Sequence, residues 1–247
     1  MNSFASLVRA QGRASLRDPA TMFFTFLFPV LLLVVFARAF GQIADEEGVL
    51  AMQAVGPNVV AFGAAYVGMF TAAQSLVEWR ASGMSRVLFA APIRTGGVLG
   101  ANLVVGLSLG LAQGGLLVAL SVLPGLNMSL VASAWLALPV VALGIAAFFS
   151  IGMVIGALCK TTASAAGAIN AVILPMAYVS GAMLPAELLP SWALNLGRAL
   201  PMRYMVEAIG GSLTGVAEAS SIVVGVAVLA AVTAVFFAVA AGVVGWS

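Results

Sequence analysis

An all-α membrane protein with six transmembrane helices is the fold class this sequence predicts, on three observations. Of its 247 residues 63% are hydrophobic and only 7% are charged, whereas an ordinary soluble domain is about a quarter charged. So few charged side chains cannot cover a water-facing surface, which excludes a soluble globular enzyme. The charges are also unevenly placed, leaving uncharged runs at Pro19 to Ala37, Gly48 to Val77, Thr95 to Cys159, Thr161 to Ala186 and Ala219 to Ser247. Third, the basic residues gather in alternate connections between those runs, as in a multi-pass membrane protein.

A helix rising about 1.5 Å per residue needs roughly 20 apolar residues to cross the hydrocarbon core. Four of the runs fit one crossing each. The third is long enough for two and breaks at the turn cluster Pro124-Gly125-Leu126-Asn127. The predicted spans are 21–41, 56–77, 97–122, 133–158, 164–184 and 220–245.

Residues 1–18 precede the first span. Phe4, Leu7, Val8 and Leu16 alternate with Arg9, Arg13 and Arg17 at a spacing of four, which predicts an amphipathic helix in the membrane interface, its arginines reaching lipid phosphates. Pro19 provides a stop before the span. The Ala37-Arg38-Ala39 stretch mimics a signal-peptide cleavage site, but the apolar run before it is too long for an h-region, so the first span is expected to remain uncleaved.

The connection at 78–94 carries Met84, Val87, Leu88 and Ala91 at helical spacing, with Arg80, Arg86 and Arg94 supplying charge. It reads as a short amphipathic helix ended by Pro92. The segment 182–218 holds Pro185, Pro190, Pro201, Trp192 and Tyr204, with amphipathic stretches near 188–199 and 202–213. These are too short to span and read as two half-inserted helices packed on the neighbouring spans, because irregular backbone at membrane depth must be shielded by protein. The whole chain, 1–247, forms one transmembrane domain.

With the N-terminus in the cytoplasm, the inner segments hold Arg9, Arg13, Arg17, Arg80, Arg86, Arg94 and Lys160, and the outer ones Arg38, Arg198 and Arg203. That distribution and the even span count place both termini in the cytoplasm. Nine Arg to one Lys, with heavy Ala, Val and Gly use, point to a GC-rich bacterial genome and so to a bacterial cytoplasmic membrane. A single Cys makes no intrachain disulfide, the absence of His argues against a metal site, and a net charge of +2 gives no reason to expect nucleic acid.

The 78–94 and 182–218 segments resemble those of ABC-2 type permeases, the membrane subunits of ABC exporters for drugs, antibiotics and lipid-linked glycans. That family's pattern after the second span, an acidic residue, then Gly, basic residues and Pro, falls here on Glu78, Gly83, Arg86 and Pro92. Its pattern near the fifth span falls on Asn170, Pro175, Ser180-Gly181, Pro185, Pro190-x-Trp192 and Pro201-x-x-Tyr204. Many relatives carry a second acidic residue shortly before the Gly, where this chain has Arg80, Ala81 and Ser82.

The resemblance implies a partner ABC ATPase dimer that binds ATP and Mg, a second permease copy or a paralogous one, and no cofactor on this chain. It implies that Glu78, Arg80, Gly83, Met84, Arg86, Leu88 and Pro92 belong to a coupling helix seated in a groove of the ATPase, with the Lys160-Thr161-Thr162 loop as a second contact. Substrate would pass between the two permeases along spans two and five, past Asn58, Tyr66, Asn170 and Tyr178. Pro185, Pro190, Trp192, Pro201 and Tyr204 would form an extracellular gate. The chain has no Gly-x-x-x-x-Gly-Lys loop, its one Lys following Cys159, so it is not expected to hydrolyse ATP itself and carries no catalytic residue.

Rival classes fit less well. A proton- or sodium-driven secondary transporter usually places ionisable residues near the midplane, whereas here every Asp and Glu falls at a span end or in a loop. A non-transport scaffold or sensor subunit is a further alternative. A channel would need a polar or charged pore ring, and an intramembrane enzyme a catalytic pair. Short outer loops favour a hydrophobic or amphiphilic substrate, such as an antibiotic, drug or lipid, over a long glycan.

Overall fold

The computed structural model describes residues 3–40, 52–82, 95–183 and 189–243. Its first helix, α1 (Ser3–Arg17), is strongly amphipathic, with Arg9, Arg13 and Arg17 exposed and Leu7 and Val8 half-buried. The apolar side leans on the start of a later helix, where Phe4 reaches Gly100 and Val8 packs against Val67, Val105 and Leu109. Asp18 then starts the next helical run, its Oδ2 accepting the Thr21 N–H at 3.0 Å.

The first crossing is continuous but not uniform. Helix α2 (Pro19–Met22) passes into a π-helical turn, Phe23–Leu27, and then into α3 (Phe28–Phe40). Pro29 has no N–H to give the Thr25 carbonyl, and the π turn instead directs the Phe28 N–H to the Phe23 carbonyl. The wider turn helps seat Phe24 and Phe28 against the following helix, with Phe24 stacked on Tyr66 at 5.7 Å.

That helix, α4 (Met52–Ala81), is the centre of the subunit. Of its most apolar window 89% is buried, against 11% in the last helix. Around it stand α5 (Thr95–Ser121), α6 (Ala137–Leu158, entered through the 3-10 turn Ala134–Leu136) and α7 (Thr162–Val179). Two short helices, α8 (Ser191–Gly197) and α9 (Pro201–Leu213), precede the last crossing, α10 (Ala219–Val243). Five helices among the described residues are long and apolar enough to cross a membrane, and Phe23–Ala39 is a shorter apolar one. All elements among the described residues are helical, as the composition predicts, and each expected span has its helix.

The α4–α6 contact is the most extensive among the described residues. Lipid tails are as apolar as Leu, so helices in a bilayer associate through van der Waals contact and hydrogen bonds rather than hydrophobic expulsion, and small residues let the backbones approach. A Cβ added at Gly156 would stand 2.8 Å from the Ala73 Cα, and one at Gly152 would run into the Met69 backbone. Both positions of this Gly-x-x-x-Gly pair therefore serve packing within the subunit. The Gly106, Gly110 and Gly114 series does the same on α5, facing Thr71, Ile145 and Val60.

At one end of the bundle, the basic end, lie α1, Arg80 and Lys160. At the opposite, proline-rich end α8 and α9 cover the bundle, with α9 packed against α10, α4 and α6. The two stretches expected to be half-inserted are helical over Ser191–Gly197 and Pro201–Leu213, and α9 packs on the neighbouring spans.

Candidate functional site

At the basic end the last turn of α4 meets the end of α6. An α-helix leaves its last four carbonyls without intrahelical partners, and here Arg80 of α4 supplies donors for α6. Its Nη1 donates to the Ala157 carbonyl at 2.9 Å, and its Nη2 to those of Gly156 and, at 2.9 Å, Cys159. The cation also sits where the negative end of the α6 dipole favours it. Beside this clasp Gln74 Nε2 donates to the Thr162 carbonyl at 3.3 Å. Thr161 and Ser164 form a reciprocal capping box that starts α7. Arg80 and Gln74 thereby tie the root of the 78–94 segment to the Cys159–Thr162 turn. Glu78 lies exposed one turn back, its carbonyl accepting the Ser82 hydroxyl at 2.7 Å. Gly83, Met84, Arg86, Leu88 and Pro92 lie outside the described residues, as does Pro185.

In the interior, three of the four expected path residues fall on the seam between α4 and α7. Tyr66 is almost fully buried, stacked between Phe24 and Phe70 at 5.7 Å from each, with the Asn170 side chain close to its hydroxyl. Asn170 also donates Nδ2 to the Ala166 carbonyl at 3.0 Å. Asn58 donates Nδ2 to the Gly181 carbonyl at 2.7 Å. Tyr178 stands apart, half-exposed on the outside of α7.

At the proline-rich end the family-like motif residues act as helix punctuation. Gly181, at φ +80°, takes the left-handed conformation that ends α7, and the Ala182 N–H returns to the Ala177 carbonyl at 3.0 Å. Pro190, in extended conformation, opens α8, and Pro201 sits in the first turn of α9, where its missing N–H costs nothing. The Tyr204 hydroxyl donates to the Arg198 carbonyl at 2.8 Å, closing the turn between the two helices, while Trp192 remains exposed.

Several polar residues not singled out from the sequence acquire partners or surroundings only through the fold. Arg203 Nε donates to Glu207 Oε1 at 2.8 Å. This ion pair lines a cleft of about 150 Å³ together with Asn58, Ser180 and Leu194. The i,i+4 spacing of Arg203 and Glu207 was visible in the sequence, but nothing there placed a cleft beside it. Asn102 bridges α5 to α4, donating to the Thr71 carbonyl at 3.2 Å and accepting the Ser75 hydroxyl at 3.1 Å. Gln113 is buried against Gly63 with neither amide atom hydrogen-bonded among the described residues.

The polar contacts thus fall into a clasp between two connections at the basic end, a sparse seam between α4 and α7, and a cleft under α8 and α9. A family model described as ABC-2 type transporter matches residues 2–213. A search among curated proteins finds no match.

Proposed function

The chain belongs to the ABC-2 type transporter family and is a multi-pass transmembrane subunit of an ABC transporter, a family that works with an ABC ATPase subunit, and from this premise we propose that it is half of an exporter. In this reading two copies, or this chain and a paralogous permease, stand on an ATPase dimer that binds ATP and Mg. The basic end faces the cytoplasm of a bacterial cell, with both termini inside, because Arg9, Arg13, Arg17, Arg80, Arg86, Arg94 and Lys160 belong to that side. The cargo is a hydrophobic or amphiphilic compound, such as a drug, antibiotic or lipid, which would make the chain an efflux component able to confer resistance.

One observation carries the coupling part of this reading. Arg80 fastens α4, the most buried helix, to the end of α6 at the root of the segment expected to touch the ATPase. A push on residues 78–94 therefore reaches the central helix and, through the Cys159–Thr162 turn, α7 as well. Interiors are close-packed and deform little, so a displacement there is passed on rather than absorbed. The α4–α7 seam, with Tyr66 on Asn170 and Asn58 on Gly181, would then change as α7 moves, opening a route between the two permeases. Trp192, Tyr204 and the three prolines would act at its outer mouth.

The test is co-expression with an ABC ATPase encoded beside it, followed by hydrolysis measurements with candidate hydrophobic drugs and lipids. A stable complex whose hydrolysis responds to a compound is expected. Glu78→Ala and Gly83→Pro should leave the permease in the membrane while lowering compound-stimulated hydrolysis about 5- to 150-fold, the range of a coupling free energy of about 1–3 kcal/mol. Full coupled activity in both variants would overturn the coupling assignment. Failure to associate with any ATPase would shift the weight to a secondary carrier or a scaffold.

A further inference from the structure

We propose that the cleft at the proline-rich end, between α4, α7, α8 and α9, binds the zwitterionic headgroup of a phospholipid, its phosphate on Arg203 and its ammonium on Glu207. Placing that lipid in the outer leaflet rests on the orientation proposed above.

Three features define the ligand. The first is charge. Arg203 uses Nε for Glu207 Oε1 at 2.8 Å and points Nη1 toward the Leu194 carbonyl at 3.5 Å. Its Nη2 and the second Glu207 oxygen, Oε2, make no hydrogen bond among the described residues. Because the pair is neutral as a whole, a purely anionic headgroup gains little from it. A headgroup bringing a phosphate and an ammonium together can occupy the open side of both partners, in charge-assisted bonds of the strong kind.

The second feature is an unused hydroxyl. Ser180 is 5% exposed, forms part of the cleft wall, and its Oγ has no hydrogen-bond partner among the described residues. Buried hydroxyls are nearly always satisfied by protein or by something bound. Its Oγ is shielded in this structure and would reach a headgroup in the cleft by rotation about χ1, on a turn that Asn58 holds through the Gly181 carbonyl.

The third feature is size and surroundings. A cleft of about 150 Å³ is well below the roughly 300–1,000 Å³ of pockets that enclose drug-sized molecules, but it suits a phosphoethanolamine-like group. Val206 and Val216 give it an apolar side, and on α8 Trp192 and Leu196 are exposed. An amphipathic indole at a membrane boundary is the usual neighbour of lipid headgroups, so acyl chains leaving the cleft have an apolar surface to follow.

The experiment is thermal unfolding of the purified full chain in detergent, titrated with phosphatidylethanolamine, phosphatidylglycerol or the soluble headgroup glycerophosphoethanolamine. The expected result is a saturable rise in Tm with phosphatidylethanolamine and none with the other two at the same concentration. Arg203→Gln combined with Glu207→Gln should raise the half-saturating lipid concentration about tenfold or more, as loss of charge-assisted bonds implies. The milder Ser180→Ala keeps the ion pair. It should unfold no earlier than wild type without lipid, yet respond more weakly to lipid.

Equal responses to phosphatidylglycerol, or unchanged titrations in both variants, would overturn the site. An equal response to glycerophosphoethanolamine would overturn the lipid as its source in favour of a water-soluble zwitterion. None of these readouts uses the ATPase, whose association is scored separately on the same preparation. Loss of association would defeat the exporter reading and leave the lipid result standing.

Discussion

Arg80 shows how much one side chain can connect. From the sequence it was a basic residue in an inner connection, occupying a position where many relatives carry an acid. In the fold it donates to carbonyls at the end of α6 and to the Leu76 carbonyl of its own helix. Arg80→Ala removes those donors from carbonyls that water reaches in part. The expected loss is about 1–2 kcal/mol of stability, seen as a lower Tm in detergent. Arg80→Lys should recover only part of it, since one ammonium replaces a planar fork of donors. The same alanine variant should lower compound-stimulated hydrolysis in the complex more than basal hydrolysis. Equal Tm values for wild type and alanine variant would show that the clasp does not hold the two helices.

At the scale of elements, α4 and α7 are opposites. Helix α4 is enclosed on nearly every side, whereas only 22% of the apolar window of α7 is buried. Its outward positions include Gly167, Ala171 and Pro175, small or flat residues that permit another helix to come close. The proposed pairing of two permeases fits that surface. Ala171→Cys, in a background where Cys159 is replaced by Ser, should give a disulfide-linked dimer on oxidation in native membranes. Ile169→Cys, placed on the fully buried side, should not. Absence of the first product would put the pairing surface on other helices, and appearance of the second would mean that α7 is turned differently in the membrane.

At the scale of the molecule, the proposed orientation rests on seven basic residues assigned to one side and three to the other. A reporter active only in the cytoplasm should work when fused at the C-terminus or in the 78–94 segment. A reporter active only outside should work when inserted between α9 and α10, near Gly215. Activity on the reversed sides would invert the proposed transport direction and move the lipid cleft to the inner leaflet. The amphipathic α1 belongs to the same picture, since its three exposed arginines would lie along the inner headgroups while Phe4 and Val8 stay against α5.

Residue type and spacing alone determined the all-helical membrane class, the position of each span to within a few residues, and the amphipathic helix at the start. These follow from composition and periodicity, because a bilayer forces every backbone group into a helix long enough to cross it. The motif near the fifth span was also legible, but its meaning was not. Ser180-Gly181, Pro190 and Pro201 turn out to stop and start helices, a role set by backbone conformation. Only the tertiary structure decided which side chains meet. It buried Tyr66 on Asn170, put Arg80 under the end of α6, and left Tyr178 outside. It also placed the Arg203–Glu207 pair beside Ser180, more than 20 residues away in the chain. No local pattern encodes such meetings, because in a chain this apolar each polar group finds its partner according to how neighbouring helices are rotated and how closely glycines let them approach.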